Sequence, residues 1–313
     1  MAKVTVIGAG NVGATCVNVL ASNRIVDTIV MLDVKPGVAE GKAIDMMQTV
    51  QPLSFESNII GVTNDYAATA GSDVVVVTSG IPRKPGMSRE DLIGTNADIV
   101  KSVVSQCLSY SPEAVFLIIS NPMDTLTYLT LKITGLPKNK VIGMGGMVDS
   151  CRFKYYLSKA LQVNPYEIDG LVIGGHSDTT MVPLKRLATY NGLPIPSLLD
   201  DATLDKVVAD TMVGGATITN LVGTSAGYTP GAAGAYVTAS ILHNYRRLIP
   251  SSVYLEGEYG QNDICIGVPA IIGRNGVESI FELQLTDEEK ALFEKSADAV
   301  RKTNLILKEI GAL

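Results

Sequence analysis

The chain has 313 residues, 46% of them hydrophobic, with 25 basic against 31 acidic side chains and a net charge of −6. Such a length can bury a large core and fits two domains; the acidic balance gives no basic surface for nucleic acid. Mean hydropathy is +0.26, yet no apolar run approaches the span of a bilayer and no signal-peptide pattern opens the chain, so a soluble, cytoplasmic protein with no membrane partner is expected.

The first element is a β-type run, Lys3 to Ile7, followed by Gly8-Ala9-Gly10-Asn11-Val12-Gly13 and a helical stretch in which Val12, Cys16, Val19 and Leu20 recur. Strand, G-x-G-x-x-G and helix in that order predict a dinucleotide-binding turn. Gly8 permits the tight turn, Gly10 the approach of a pyrophosphate, and Gly13 close packing of helix on strand; Ala9, Asn11 and Val12 complete the candidate phosphate loop. A second apolar run, Ile29 to Leu32, ends at Asp33, 20 residues after Gly13. A carboxylate there holds both ribose hydroxyls and repels a 2′-phosphate, which favours NAD over NADP.

A helical segment from Val38 to Met47 follows, its paired Met46 and Met47 suited to a core or to an interface between subunits. Val74 to Thr78 and Val115 to Ile119 are near-continuous apolar strands, as a parallel sheet covered on both faces requires. Between them, Gly80 to Asp91 carries Arg83, Lys84 and Arg89 on a loop rich in proline and glycine. Ser88 and Asp91 suggest a helix start, which places the cation Arg89 in a first turn where the helix dipole disfavours it. An anionic ligand would account for it. Ser120-Asn121-Pro122 lies at the carboxyl edge of the next strand, where open α/β sheets bind ligands. The predicted fold is α/β: a Rossmann domain with a parallel sheet over residues 1–145, then an α+β catalytic domain over 146–313.

In the second half, Asp149 and Arg152 are three residues apart on one helix face. His176, one of two histidines, follows an apolar run between Ile168 and Ile173 and sits after Gly174-Gly175. The other, His243, reads as a surface residue near Arg246 and Arg247. Ile264 to Ile272 is strand-like. The last helix is predicted to start at Thr286, with Glu289 closing a capping box and Leu292, Val300, Leu307 and Ile310 on one face. Cys16, Cys107, Cys151 and Cys265 show no metal or redox spacing and are expected to be reduced structural thiols, with no metal site.

These pieces fit one reaction. Hydride transfer from a secondary alcohol to NAD needs a base for the hydroxyl proton, and histidine suits that role at neutral pH. A carboxylate such as Asp149 on the other ring nitrogen fixes the tautomer. Arginines clamp a substrate carboxylate and polarise the reacting oxygen.

On these motifs, from the first strand to the last helix, the chain resembles the lactate/malate dehydrogenase family. The resemblance implies a homodimer or homotetramer in which His176 accepts the proton, Asp149 orients it and Arg152 binds the C1 carboxylate. It further implies that Arg89 polarises the reacting oxygen, Asn121 touches substrate and cofactor, and Ser225 lies near the substrate. Asn96, Ile119 and Ser120 would join the cofactor side. Lactate-specific relatives carry glutamine where this chain has Arg83, so the resemblance implies a dicarboxylate, malate or oxaloacetate. Departures are Val148 for a leucine, Ser177 for a glycine after the histidine, and one extra residue before Met181. Rival readings are a lactate or other 2-hydroxyacid dehydrogenase, and an NAD- and metal-dependent glycosidase using Cys151 and His176. Against the latter, Cys151 is two residues from Asp149 and points away from the Asp149/Arg152 face.

Overall fold

The computed structural model describes residues 2–81 and 89–313, with Arg89 and Glu90 described in their backbone only. Arg83 and Lys84 lie outside the described residues. In the first half, strands β1 (Lys3–Ile7), β2 (Thr28–Asp33), β3 (Asn58–Thr63), β4 (Val74–Val77), β5 (Val115–Ile118) and β6 (Val141–Gly143) alternate with helices. These are α1 (Asn11–Ser22), α2 (Val38–Met47), the short α3 (Val50–Leu53), α4 (Arg89–Tyr110) and α5 (Met123–Thr134). The six strands pair in parallel in the order β3-β2-β1-β4-β5-β6. The order reverses between β1 and β4, which opens a crevice at the carboxyl ends of both.

The apolar runs explain why this sheet is covered twice. Along β4, Val74 and Val76 pack into one core with α1, while Val75 and Val77 pack into the other with Ile93, Val100 and Val104 of α4. All four valines are fully buried. Strand residues alternate faces, so an unbroken valine run needs helices on both sides.

The second half comprises α6 (Gly145–Leu161), β7 (Ile168–Asp169), β8 (Val172–Gly174), β9 (Met181–Pro183), β10 (Thr189–Tyr190) and β11 (Leu193–Pro194). There follow α7 (Asp201–Met212), α8 (Gly214–Val222), α9 (Tyr228–Leu242), β12 (Arg247–Glu256), β13 (Asn262–Gly273), β14 (Gly276–Ile280) and α10 (Asp287–Glu309). The main sheet continues past β6 through antiparallel β12, β13, β8 and β9. The predicted run Ile168 to Ile173 is two strands, not one. Gly170 breaks it where a Cβ would come within 3.0 Å of the Phe153 ring, and β7 leaves to pair with β10 in a separate small sheet.

Helix α10 starts as predicted, with Thr286 as N-cap and the full Thr286/Glu289 capping box. Its buried face differs from the expected one. Phe293, Ala297, Val300 and Leu307 face the core, whereas Leu292 is 47% exposed and Ile310, the C-cap, 41%. The predicted stripe was set one residue off at its start and ran past the helix end. Met46 and Met47 pack partly against the core, while Ile44 on the same helix is exposed. His243 caps the end of α9 and is exposed. All four cysteines are free. Burial pushes the thiols of Cys16 and Cys107 up to about 12, which leaves them protonated and inert.

Candidate active site

The carboxyl edge of the parallel sheet builds one end of the site. Gly8 follows β1 at φ +99°, a conformation that favours glycine. A Cβ on Gly13 would stand 1.8 Å from the Gly8 carbonyl oxygen, so helix and strand approach as closely as the motif predicts. A Cβ on Gly10, by contrast, would meet no atom of the described residues within 4 Å. The first helical bond runs from Ala14 N to Gly10 O, 2.9 Å, so the N–H groups of Asn11, Val12 and Gly13 have no acceptor within their helix. Open space above those donors fits a phosphate.

Asp33 ends β2 beside this loop. Its Oδ2 accepts the N–H of Ala9 at 2.7 Å and its Oδ1 that of Lys35 at 2.9 Å. Ala9 therefore gives its N–H to Asp33, not to a phosphate, and its carbonyl accepts from Lys42 Nζ at 2.7 Å. The remaining lone pairs of Asp33 suit ribose hydroxyls. Loop, helix start and carboxylate together fit a dinucleotide.

The chemistry gathers where β5 and β6 end. Helix α6 starts directly after β6 and carries Asp149 and Arg152 inward. Asp149 is 2% exposed and accepts from Arg152 Nη1 at 3.1 Å. Its other oxygen lies 2.7 Å from His176 Nδ1. Burial pulls the imidazole down, whereas the charge and hydrogen bond of Asp149, with Asp124 behind, push it up against Arg152; the balance stands above the ordinary histidine value. Bonding Nδ1 to the carboxylate puts the proton there and leaves the Nε2 lone pair free to accept a proton. Arg152 is 14% exposed at its side chain, and its Nε is buried without a partner among the described residues. It lies against Gly215, where a Cβ would come within 3.4 Å of the guanidinium. Such a cation, short of acceptors, suits a carboxylate ligand.

A pocket of about 300 Å³ joins these groups, lined by Val12, Ile119, Asn121, Arg152, His176 and Ser225 among the predicted residues. Asn96 and Ser120 are adjacent but committed elsewhere. The Asn96 amide donates to the carbonyls of Asn121 (2.7 Å) and Ile81 (3.2 Å) and accepts from Ile81 N (2.8 Å). Ser120 Oγ donates to the Ser79 carbonyl. Both brace the loop edges where the sequence suggested cofactor contacts. Of Arg89, the structure describes only its place at the start of α4.

Sequence reasoning missed Met144, Gly145 and Thr219, which also line the pocket. Gly145 bears directly on the base, since a Cβ there would come within 2.6 Å of His176 Cγ. The Gly143-Met144-Gly145-Gly146 run was visible in the sequence and signalled this close approach. The extra residue after His176 is absorbed in a turn: Thr180 N donates to Ser177 O at 3.0 Å, the two hydroxyls stand 2.6 Å apart, and Thr180 Oγ1 donates to Gly175 O at 2.7 Å. Among the described residues no group of three or more His, Cys, Asp or Glu side chains could hold a metal ion.

A nucleotide-phosphate turn facing a histidine–carboxylate pair and an arginine defines a dinucleotide-dependent oxidoreductase of the two-domain dehydrogenase class. The chain belongs to the lactate/malate dehydrogenase family: residues 2–143 match its NAD binding domain and residues 147–308 its alpha/beta C-terminal domain. NAD is thus the cofactor of the first domain. The chain is 66% identical to a malate dehydrogenase of Parabacteroides distasonis and to one of Bacteroides fragilis, over 100% of each chain. Among solved structures it is similar to a malate dehydrogenase from Salinibacter ruber, with a TM-score of 0.94, 40% identity and 98% coverage of both chains. A lactate dehydrogenase from Cryptosporidium parvum, complexed with lactic acid and nicotinamide adenine dinucleotide, has a TM-score of 0.93 at 34% identity, again with 98% of both chains covered.

Proposed function

We propose that the protein is an NAD-dependent malate dehydrogenase that interconverts (S)-malate and oxaloacetate. Residues 1–145 bind the cofactor and residues 146–313 carry most of the catalytic groups. The observation that carries this reading is the His176–Asp149–Arg152 cluster on the pocket between the glycine loop and α8. Bound NAD supplies the hydride acceptor. His176 Nε2 takes the hydroxyl proton from C2 of malate, and Asp149 holds the ring and stabilises the imidazolium. Arg152 binds the C1 carboxylate with the donors Asp149 leaves free. Asn121 orients the reacting oxygen and the nicotinamide, Ile119 packs against the nicotinamide ring, and Ser225 closes the substrate side. Arg89 polarises the carbonyl oxygen in the reverse direction.

Arg83 selects the dicarboxylate by pairing with its second carboxylate. A mono-acid leaves that arginine desolvated and unpaired, which costs about 3–5 kcal/mol, or roughly 150-fold to several thousand-fold in kcat/KM. With NADH, oxaloacetate is therefore expected to outrun pyruvate and 2-oxoglutarate, and Arg83→Gln to lose most of the margin over pyruvate. Equal turnover of oxaloacetate and pyruvate by the wild type sinks the malate assignment in favour of a general 2-hydroxyacid dehydrogenase.

The working form proposed is a cytoplasmic homodimer or homotetramer. Exposed apolar side chains support association: Ile44 on α2, Leu221 and Val222 on α8, and Tyr228 at the start of α9. No helix among the described residues is long and apolar enough to cross a membrane. Light scattering at micromolar concentration is expected to give two or four times the 33.1 kDa chain mass; a monomer mass rejects this form.

A further inference from the structure

Asp124 has no part in the steps above, yet it is a third charged group at His176. It stands in the first turn of α5, directly after Asn121-Pro122, and is buried. A carboxylate in a first turn ordinarily serves its own helix N–H groups. Asp124 instead turns Oδ2 away and accepts the main-chain N–H of His176 at 2.7 Å. Its Oδ1 is buried with no hydrogen-bond partner among the described residues, as is Ser252 Oγ, which approaches the same carboxyl from β12 without a well-formed bond. A cavity of about 40 Å³ opens beside it, lined by Asp124, His176, Ser177, Thr180 and Thr303. That volume suits one ordered water among the polar groups that line it.

We propose that Asp124 is a positioning residue of the reaction: it pins the His176 main chain to the start of α5 and places a second buried carboxylate behind the imidazole. Pinning matters because α5 follows directly from Asn121, so base and orienting amide share one anchor. The charge matters because His176 becomes an imidazolium whenever malate is oxidised. Among the described residues, the charged groups around that ring are Asp149 and Arg152 from α6, Asp124 from α5, and Asp178, which lines the same pocket two residues further on; α10 contributes the hydroxyl-bearing Ser296 and Thr303 nearby. Asp149 and Arg152 offset each other in charge, so Asp124 leaves the cluster net negative and favours the protonated ring. Burial and the Asp149 charge push the Asp124 carboxyl up, while Ser252 and the His176 N–H hold it down, with the balance above its ordinary value. Against that burial, the helix N-terminus joins the His176 N–H in favouring the ionised form.

The test is Asp124→Asn, which keeps shape and an acceptor for His176 N–H but removes the charge. The chain has only two histidines, so each imidazole can be followed by NMR without any turnover. The His176 midpoint is expected to fall by on the order of one pH unit, with exposed His243 unmoved. In malate oxidation the acid limb of kcat/KM should move down with it, and at a pH below both midpoints, where the ring is charged in both proteins, KM for oxaloacetate should change little. A folded variant with an unmoved His176 midpoint overturns the proposal. If the variant does not fold, wild-type amide exchange decides: a slow, downfield His176 N–H supports the pinning, and exchange at solvent rates overturns it. The kinetic arm alone rests on the malate dehydrogenase reading. A wild type that fails to oxidise malate while the NMR shift is present rejects that reading and leaves the positioning role standing.

Discussion

His176→Asn is expected to lower turnover with oxaloacetate and NADH by roughly 10²–10⁴-fold, the range contributed by a positioned acid–base group. Asparagine retains a polar side chain of similar reach but titrates nowhere near neutrality. It can neither take the C2 hydroxyl proton nor return it. NADH affinity, followed by fluorescence titration, should survive, because the glycine loop and Asp33 are built from β1, α1 and β2 and, among the described residues, are braced by hydrogen bonds that do not involve His176. The substitution therefore separates binding from chemistry. Unchanged turnover removes His176 from the mechanism; lost NADH binding shows that the variant has damaged the fold and not the base alone.

Asp149→Asn is expected to be comparably severe, with kcat falling by about 10³–10⁴-fold, as in other histidine–carboxylate pairs. The cause is a conflict of donors. Asp149 accepts from His176 Nδ1 with one oxygen and from Arg152 Nη1 with the other. An asparagine has one oxygen for two donors. If the oxygen faces Arg152, the amide NH₂ faces Nδ1 and drives the ring proton to Nε2, where the base is needed. If it faces His176, the NH₂ opposes a guanidinium in a site almost closed to water. Residual activity should also titrate differently. Malate oxidation requires the neutral ring and is lost as pH falls through the His176 midpoint. Asp149 raises that midpoint, so in the variant the acid limb moves to lower pH. A wild-type pH profile with wild-type kcat contradicts the assigned role.

The chemistry was more legible in the sequence than its supports. The phosphate loop, Asp33 and the Asp149/Arg152 helix face depend on spacing within single elements, and spacing is what a sequence displays. Joining His176 to Asp149 needed a reaction as well: the pairing was expected from what a base requires, and the 2.7 Å contact matches it. Asp124 was invisible because its partner is 52 residues away and is a main-chain N–H, which no residue type announces. Asn96 misled for a related reason. Its amide looks the same in a sequence whether it faces a cofactor or, as here, ties Ile81 to Asn121. On α10 the middle of the face, Val300 and Leu307, was read correctly, but its two ends were not. Leu292 and Phe293 are both apolar neighbours, and only packing decides which of them turns inward.

The hydrogen bond from Ala9 N–H to Asp33 links two tasks that are usually discussed apart. The carboxylate whose remaining lone pairs suit the ribose is also the brace of the turn whose open N–H groups suit a pyrophosphate. Cofactor preference and loop stiffness are thus not independently adjustable at this position. A neutral residue at 33 would relieve repulsion of a 2′-phosphate and, in the same stroke, free the Ala9 amide and slacken the glycine turn. A switch to NADP in this scaffold calls for at least two coordinated changes, one to admit the phosphate and one to restore the brace.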